Sequence, residues 1–367
     1  MSGHLTGGIE TFLLSMNRHM SKDCVFDYVF MEENTIHQAA IEANGGKAIC
    51  ITPIRKNPLK NVTDLIKVLR QNRKDHPVAY FNLFSMVHMV PVLLAKMMGY
   101  RIVLHAHNSN LQQKGKVYRW LHNINRRVFG GMKCLRLTNS EESAAFMYGK
   151  KRQAALVYNA IEIDRFRFDA TVRDAVRTEL QVGGRPVFGF SGRLCDPKNP
   201  LFLVDVFESI RRRIPEAVLL IAGEGELRCR IEERIAQKGL KDSVKLLGMR
   251  SDMERIYQAM DCFILPSRFE GLGIVLIEAQ CAGVPCVTSA DVVPQLAKVT
   301  ELVEFVPLDD GAQAWADVCI RMLQNAAADR AQYAQVVGNS HFNILTEARR
   351  LEERLLDSAK NYGKKPR

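Results

Sequence analysis

With 367 residues, 47% of them hydrophobic and 25% charged, the chain is too long for one ordinary core and has the composition of two globular domains, which excludes a disordered or fibrous protein. Its net charge of +11 lies entirely in the first half: residues 1–182 carry 26 Lys and Arg against 15 Asp and Glu, and the remainder 25 against 25. Nine scattered cysteines, odd in number and without a C-x-x-C pair, read as reduced core residues of a cytosolic protein, and no stretch has the pattern of a signal peptide or a spanning helix.

The chain opens on Thr6-Gly7-Gly8 ahead of a helical pattern over residues 11–20. The amides of Gly7 and Gly8 stand clear of side chains and suit a phosphate or an acceptor, with a plain turn as the competing reading. Short β-branched and aliphatic runs follow at 25–30, 48–51, 78–82, 102–105, 135–138 and 155–158. Their alternation with helical patterns predicts a parallel sheet with crossover helices. His105-Ala106-His107 closes the fourth run, at the carboxyl edge where open α/β sheets bind ligands. Two histidines at i and i+2 without a third ligand nearby do not make a zinc site.

Residues 76–140 hold nine Lys and Arg and no Asp or Glu, a density that attracts an anionic partner. Within them, residues 111–133 interleave Lys114, Lys116, Arg119, Arg126 and Arg127 with Val117, Trp120, Leu121, Ile124 and Val128. That pattern suits either a helix lying on anionic lipid or a core helix with a cationic, solvated face. No recognised motif points to nucleic acid.

The rhythm breaks at Val182-Gly183-Gly184-Arg185, which places a domain boundary at 182/183. New runs at 186–190, 217–222, 244–247, 262–265, 284–288 and 302–306 predict a second parallel sheet. Leu203, Phe207 and Ile210, and later Trp315, Val318, Cys319 and Met322, recur at helical spacing as core faces. Two doubly wound α/β domains follow, 1–182 and 183–340. Residues 341–359 form a charged amphipathic helix with Ile344, Leu351 and Leu355 near one face, followed by a basic tail.

The richest chemistry lies in Leu265-Pro266-Ser267-Arg268-Phe269-Glu270-Gly271-Leu272-Gly273-Ile274, continuing to Glu278 and Ala282-Gly283-Val284-Pro285. A strand ending at Leu265, a glycine-rich turn and a helix would set Glu270, Glu278 and several backbone N–H groups at the sheet's carboxyl edge. The start of that helix offers unpaired donors and a positive dipole to a phosphate or to sugar oxygens. The plainer alternative makes Glu270 a turn cap and Glu278 a solvated helix position. Arg193 and Lys198, in Ser191-Gly192-Arg193-Leu194-Cys195-Asp196-Pro197-Lys198-Asn199-Pro200, complement a diphosphate, the guanidinium gripping two oxygens and the ammonium supplying a compact charge. A surface loop with two ordinary cations is the alternative there.

Taken together, these segments resemble glycosyltransferase family 4, a retaining family with the GT-B fold that includes bacterial exopolysaccharide, capsule and lipopolysaccharide enzymes. The E-x7-E run of Glu270 and Glu278, the loop of Arg193 and Lys198, Ala222-Gly223-Glu224-Gly225, Thr6-Gly7-Gly8 and Val157-Tyr158-Asn159-Ala160-Ile161-Glu162 match it in order over nearly the whole chain. The resemblance implies two Rossmann-like domains facing a cleft, the first for the acceptor and the second for the donor. The helix of residues 341–367 could pack on either domain by its pattern alone, and packing back on the first is the expectation. Family members usually begin with an apolar strand before the glycine loop, whereas only residues 1–5 precede Thr6, so the opening strand is expected to be missing.

By the same resemblance Glu278 accepts hydrogen bonds from the donor ribose, and Arg193 and Lys198 hold the diphosphate. Glu270 and the amides of Gly271, Leu272, Gly273 and Ile274 orient the sugar. Gly8 approaches the donor, and a histidine of His105-Ala106-His107 lies beside its sugar, with His107 preferred for the small polar residues that follow it and His105 as the alternative. Glu270, His107, Arg193 and Lys198 are the expected catalytic group. The expected reaction is metal-independent and cofactor-free, with a UDP- or GDP-sugar as substrate and a glycan or lipid-linked acceptor. It would occur in the cytoplasm or at the inner face of the plasma membrane, for cell-surface polysaccharide synthesis. An epimerase or phosphorylase on the same scaffold, or a non-catalytic nucleotide-sugar binder, is the rival reading.

Overall fold

The computed structural model describes residues 8–31, 35–108, 115–325 and 329–360. The chain forms two compact units, one of Met1–Asn159 with Ile344–Arg367 and the other of Ala160–Asn343. In the first unit, β1 (Tyr28–Phe30) and β2 (Ala48–Cys50) pair in parallel as a small sheet. A second, four-stranded parallel sheet runs in the order β3 (Val78–Leu83), β4 (Arg101–Ala106), β5 (Leu135–Thr138), β6 (Ala155–Leu156). The single first-domain sheet expected from the sequence is therefore built as two. Among the described residues no strand joins β1 to β3, and Phe26 and Tyr80 stack beside them with ring centroids 6.1 Å apart.

The first unit's core gathers Ile51, Leu69, Met86, Val92, Ile102 and Met147 from strands, crossover helices and the loops that join them. The helix Ile344–Lys360 belongs to this unit and buries Ile344, Leu351 and Leu355. Its Glu347, 1% exposed, accepts a hydrogen bond from the Tyr158 amide at 3.1 Å, and Arg354 donates to the carbonyl of Leu156 at 2.8 Å. A buried carboxylate needs such a donor, because leaving its charge unpaired costs several kcal/mol.

The second unit holds one six-stranded parallel sheet made of β7 (Val187–Ser191), β8 (Val218–Ala222), β9 (Val244–Gly248), β10 (Cys262–Leu265), β11 (Cys286–Ser289) and β12 (Val303–Val306). Every residue of β7, β8, β10 and β11 is buried, which is why these strands read as nearly continuous apolar runs rather than alternating ones. The helix Pro200–Arg213 starts on proline, whose fixed φ suits a first helical position, and buries Leu203, Phe207 and Ile210. Phe202 meets Trp315 of the helix Gly311–Gln324 edge to face at 5.6 Å, and the buried indole donates to the carbonyl of Pro307 at 2.9 Å. The strand order β12-β11-β10-β7-β8-β9 switches direction between β7 and β10. Their carboxyl ends therefore diverge into the crevice where open sheets hold ligands.

The boundary falls at Asn159/Ala160 rather than 182/183. The helices Ile163–Phe166 and Ala170–Glu179 precede β7, yet the second is bound to its sheet: Arg173 and Arg177 pair with Asp261 at 2.6 and 3.2 Å. At the far end, Phe342 stays with this unit, its carbonyl accepting from the Ile161 amide at 2.8 Å. All nine cysteines are free, but Cys50 and Cys229 are exposed and Cys134 is half-buried, which corrects the reading of the set as core residues. Among the described residues, no helix is long and apolar enough to cross a membrane.

Candidate active site

After β7 the chain turns through residues 192–199 into the helix Pro200–Arg213, and after β8 it turns through Gly223-Glu224-Gly225. The two loops lie against each other. Leu194 donates its amide to the carbonyl of Glu224 at 2.9 Å and accepts from the Leu227 amide at 3.0 Å. The approach requires glycine, since a Cβ on Gly223 would stand 2.0 Å from the carbonyl oxygen of Gly192. At the far end of the first loop, Asn199 takes a left-handed conformation, φ +54°, which asparagine tolerates better than most residues. That reversal ends the turn Asp196–Lys198 and lets the helix begin one residue later.

β10 neighbours β7, so the loop that follows it meets this same turn. The amides of Arg268 and Phe269 both donate to the carbonyl of Pro197, at 2.8 and 3.2 Å, and Arg268 pairs with Asp196. These bonds bring Glu270 to Lys198. The two side chains form an ion pair and are only 12% and 22% exposed. Glu270 is held further by the hydroxyl of Ser267 at 3.4 Å and by the amide of Gly271 at 3.2 Å. An ion pair so withdrawn from water keeps more of its Coulomb energy than a surface pair does.

Gly273, at φ +76°, ends the glycine-rich turn and begins the helix Ile274–Cys281, whose first turn has no side-chain cap. Its leading amides and the positive end of its dipole are left for an incoming anion or hydroxyl. Gly271 is exposed there and Leu272 half-buried. Glu278 sits one turn further along, half-buried, and accepts a hydrogen bond from Tyr257 at 2.9 Å. Desolvation lifts its pKa from the usual carboxylate range to about 7, with the tyrosine bond opposing the shift. Arg193 stands apart from this group, paired with Glu226 of the second loop at 3.2 Å with both side chains mostly exposed.

In the first unit, Gly8 is the first residue of the helix Gly8–Arg18, while Thr6 and Gly7 lie outside the described residues. His105, in β4, is fully buried, its Nδ1 2.6 Å from the Tyr80 hydroxyl. His107 follows the strand, is half-buried and has its Nε2 2.8 Å from the amide oxygen of Asn82. The two rings stand 4.0 Å apart, with Phe12 edge-on to both. Burial holds His105 well below the ordinary histidine range and His107 at about 4, so both are neutral at physiological pH. Of the two, His107 has the accessible ring. Among the described residues no group of three or more His, Cys, Asp or Glu is arranged to hold a metal ion.

A family model described as Glycosyl transferases group 1 matches residues 185–325, within the second unit. EpsF of Bacillus subtilis is 26% identical over 343 residues, covering 90% of this chain and 87% of that protein. The UDP-Gal:alpha-D-GlcNAc-diphosphoundecaprenol alpha-1,3-galactosyltransferase of Escherichia coli is 27% identical over 241 residues, 63% of this chain and 62% of its own. The crystal structure of Anabaena HepE in complex with UDP superposes with a TM-score of 0.78 at 18% identity, covering 97% of this chain and 98% of that one, and places the fold as GT-B.

The chain is a glycosyltransferase whose second unit matches the group 1 family. In this glycosyltransferase the second unit joins Lys198 to Glu270 and sets Glu278 below the same glycine turn, but leaves Arg193 on the loop surface. Sequence reasoning missed Tyr257, the hydrogen-bond donor to Glu278. It lies on the helix Met253–Ala259, 21 positions upstream, and no local pattern connects the two. Ser267 and Asn199 stood inside the quoted motifs, but only the folded loops show that one donates to Glu270 and the other ends the turn that carries Lys198.

Proposed function

We propose that this glycosyltransferase moves a sugar, with retention at the anomeric carbon, from a nucleotide diphosphate-sugar to a lipid-linked acceptor in cell-surface polysaccharide assembly. It would work as a peripheral protein at the inner face of the plasma membrane, without metal or cofactor. The observation that carries the reading is the Lys198–Glu270 pair at the β7/β10 crevice, beside an uncapped helix start. Relatives supply the substrate class: HepE was solved with UDP, and the Escherichia coli enzyme is named for a UDP-sugar and a diphosphoundecaprenol acceptor.

In this mechanism the donor diphosphate takes Lys198 from Glu270 and reaches Arg193. The freed Glu270 then orients sugar hydroxyls together with the Gly271 to Ile274 amides. Glu278 accepts from the ribose hydroxyls. The bond from the anomeric carbon to the β-phosphate oxygen breaks as the acceptor hydroxyl adds on the same face. The hydroxyl proton passes to the departing diphosphate, whose charge the two cations stabilise. No enzyme nucleophile is needed.

The test is nucleoside diphosphate release from UDP- and GDP-sugars with and without an undecaprenyl-diphosphate saccharide, with the product's anomeric configuration read by NMR. Acceptor-dependent release with an unchanged anomer is expected, and Lys198→Ala should lower kcat about 10²–10³-fold. An inverted product, or full turnover in Lys198→Ala, would overturn the assignment.

A further inference from the structure

The helix Lys116–Val128 of the first unit is built inside out. Its inward face is polar: Tyr118 shares a hydrogen bond with Ser85 at 2.9 Å, and Asn125 donates to the carbonyls of Met86 and Val87 at 2.7 and 3.2 Å. His122, 1% exposed, accepts the Met86 amide on Nδ1 at 3.1 Å, so its Nε2 is the protonated nitrogen that faces the Phe146 carbonyl at 3.3 Å. These bonds lock the orientation of the helix. Its apolar side is thereby turned to solvent, with Val117 70%, Trp120 61% and Val128 66% exposed. Along the other flank run the cations Lys116, Arg119 and Arg127, all exposed.

The neighbouring helix Val90–Met97 buries Val92 and Ala95 in the core but also turns apolar side chains outward. Val90, Leu93 and Met97, at i, i+3 and i+7, share one exposed face, and Phe84 is exposed just before it. Lys96 reaches across to the carbonyl of Lys133 at 3.2 Å, tying this helix to the segment that follows the other. Single exposed apolar residues are ordinary on a protein surface, but a patch spread over two adjacent helices is not. A water-facing surface gains nothing from turning valines outward and histidine inward. Nor is the patch matched to a cationic or neutral partner, since residues 76–140 contain no acidic side chain to balance their nine cations.

We propose that the outward faces of these two helices dock the protein on an anionic lipid bilayer, the apolar side chains entering the headgroup boundary and the Lys and Arg heads meeting lipid phosphates. This assigns a surface to the peripheral association read above, and rests on it. Tryptophan favours the headgroup level of a bilayer, and lysine and arginine stems lie along apolar surface while their charges stay at the interface, which is the residue set these helices present.

Trp120 also supplies the probe. The chain has two tryptophans, and Trp315 is fully buried in the second unit. Vesicles of phosphatidylcholine with and without phosphatidylglycerol are added to the full-length protein, half of them carrying brominated acyl chains. With anionic vesicles, Trp120 emission should shift to the blue and be quenched by bromine; neutral vesicles should do neither. Arg119→Glu and Arg127→Glu should each weaken partitioning at least about five-fold, the scale of one surface cation on anionic lipid. Leu121→Asp, a change to an exposed side chain, should abolish the quenching. No quenching by anionic vesicles, equal response to neutral ones, or undiminished binding in all three variants would overturn the proposal. Transfer to a detergent-solubilised acceptor is assayed alongside. Transfer without vesicle binding sinks the docking surface and leaves the enzymatic reading standing, and vesicle binding without transfer does the reverse.

Discussion

A carboxyl group such as Glu278, whose pKa desolvation lifts to about 7, changes charge near neutral pH. In the proposed donor site the ribose hydroxyls donate to this carboxylate, which makes the ionised form the one that binds donor. Protonation then competes with the nucleotide, and UDP affinity should fall about ten-fold between pH 8 and pH 6 through this group. Glu278→Gln cannot ionise and should lack that share of the pH dependence, so calorimetric titration of both proteins isolates it from the titration of the phosphates. Parallel profiles for the two would remove Glu278 from the ribose site. Glu270 and Glu278 could be read together because they lie eight positions apart in one motif, and Lys198 because it stands in a motif of its own, 72 positions before Glu270. Tyr257, which donates to Glu278, was not: the pair meets only where the helices Met253–Ala259 and Ile274–Cys281 come together.

At the scale of elements, the site depends on two loops that touch through their backbones. An alanine at Gly223 would force its Cβ against the Gly192 carbonyl, 2.0 Å away, and neither loop can yield without losing the bonds from Leu194. Gly223→Ala should cost about 1–3 kcal/mol of stability, as overpacking does, and should lower kcat because the loop it displaces carries Lys198. Gly184, where an added Cβ meets open space, is the control. Gly184→Ala should change stability by less than about 0.5 kcal/mol, as surface substitutions do. Thermal melts and initial rates of both variants decide it, and equal behaviour would mean that the close approach is dispensable.

Periodicity located each of the twelve strands to within a few residues, since fully buried parallel strands announce themselves as apolar runs. It did not locate the division between the units. Val182-Gly183-Gly184-Arg185 looks like a linker, but Arg173 and Arg177 bind Asp261, more than eighty positions away, and carry the preceding helix into the second unit. Nor did periodicity show which face of Lys116–Val128 turns inward. Spacing sorts side chains into faces, and here hydrogen bonds from Tyr118, His122 and Asn125 overrode the usual preference for burying the apolar one.

Across the whole molecule, two titrations of opposite sign act on stability in acid. His107, held at about 4 by desolvation, stays neutral in the folded protein while an unfolded chain takes up its proton near 6.5. Between those values the unfolded state binds more protons, so His107 withdraws stability as pH falls, and buried His105 acts in the same direction. Glu278 does the reverse. It binds its proton near 7 when folded but near 4.5 when unfolded, so it adds stability as pH falls through that window. Each group contributes at most about 1.4 kcal/mol per pH unit. Between pH 6.5 and 5 the opposed slopes partly cancel, and replacing either group should expose the other. His107→Asn should lose less melting temperature than the natural protein over that interval, and Glu278→Gln should lose more. Differential scanning calorimetry at half-unit steps measures both. Variants that shift in the same direction would mean that one of the two burials does not govern its group, and the order of the slopes would identify which.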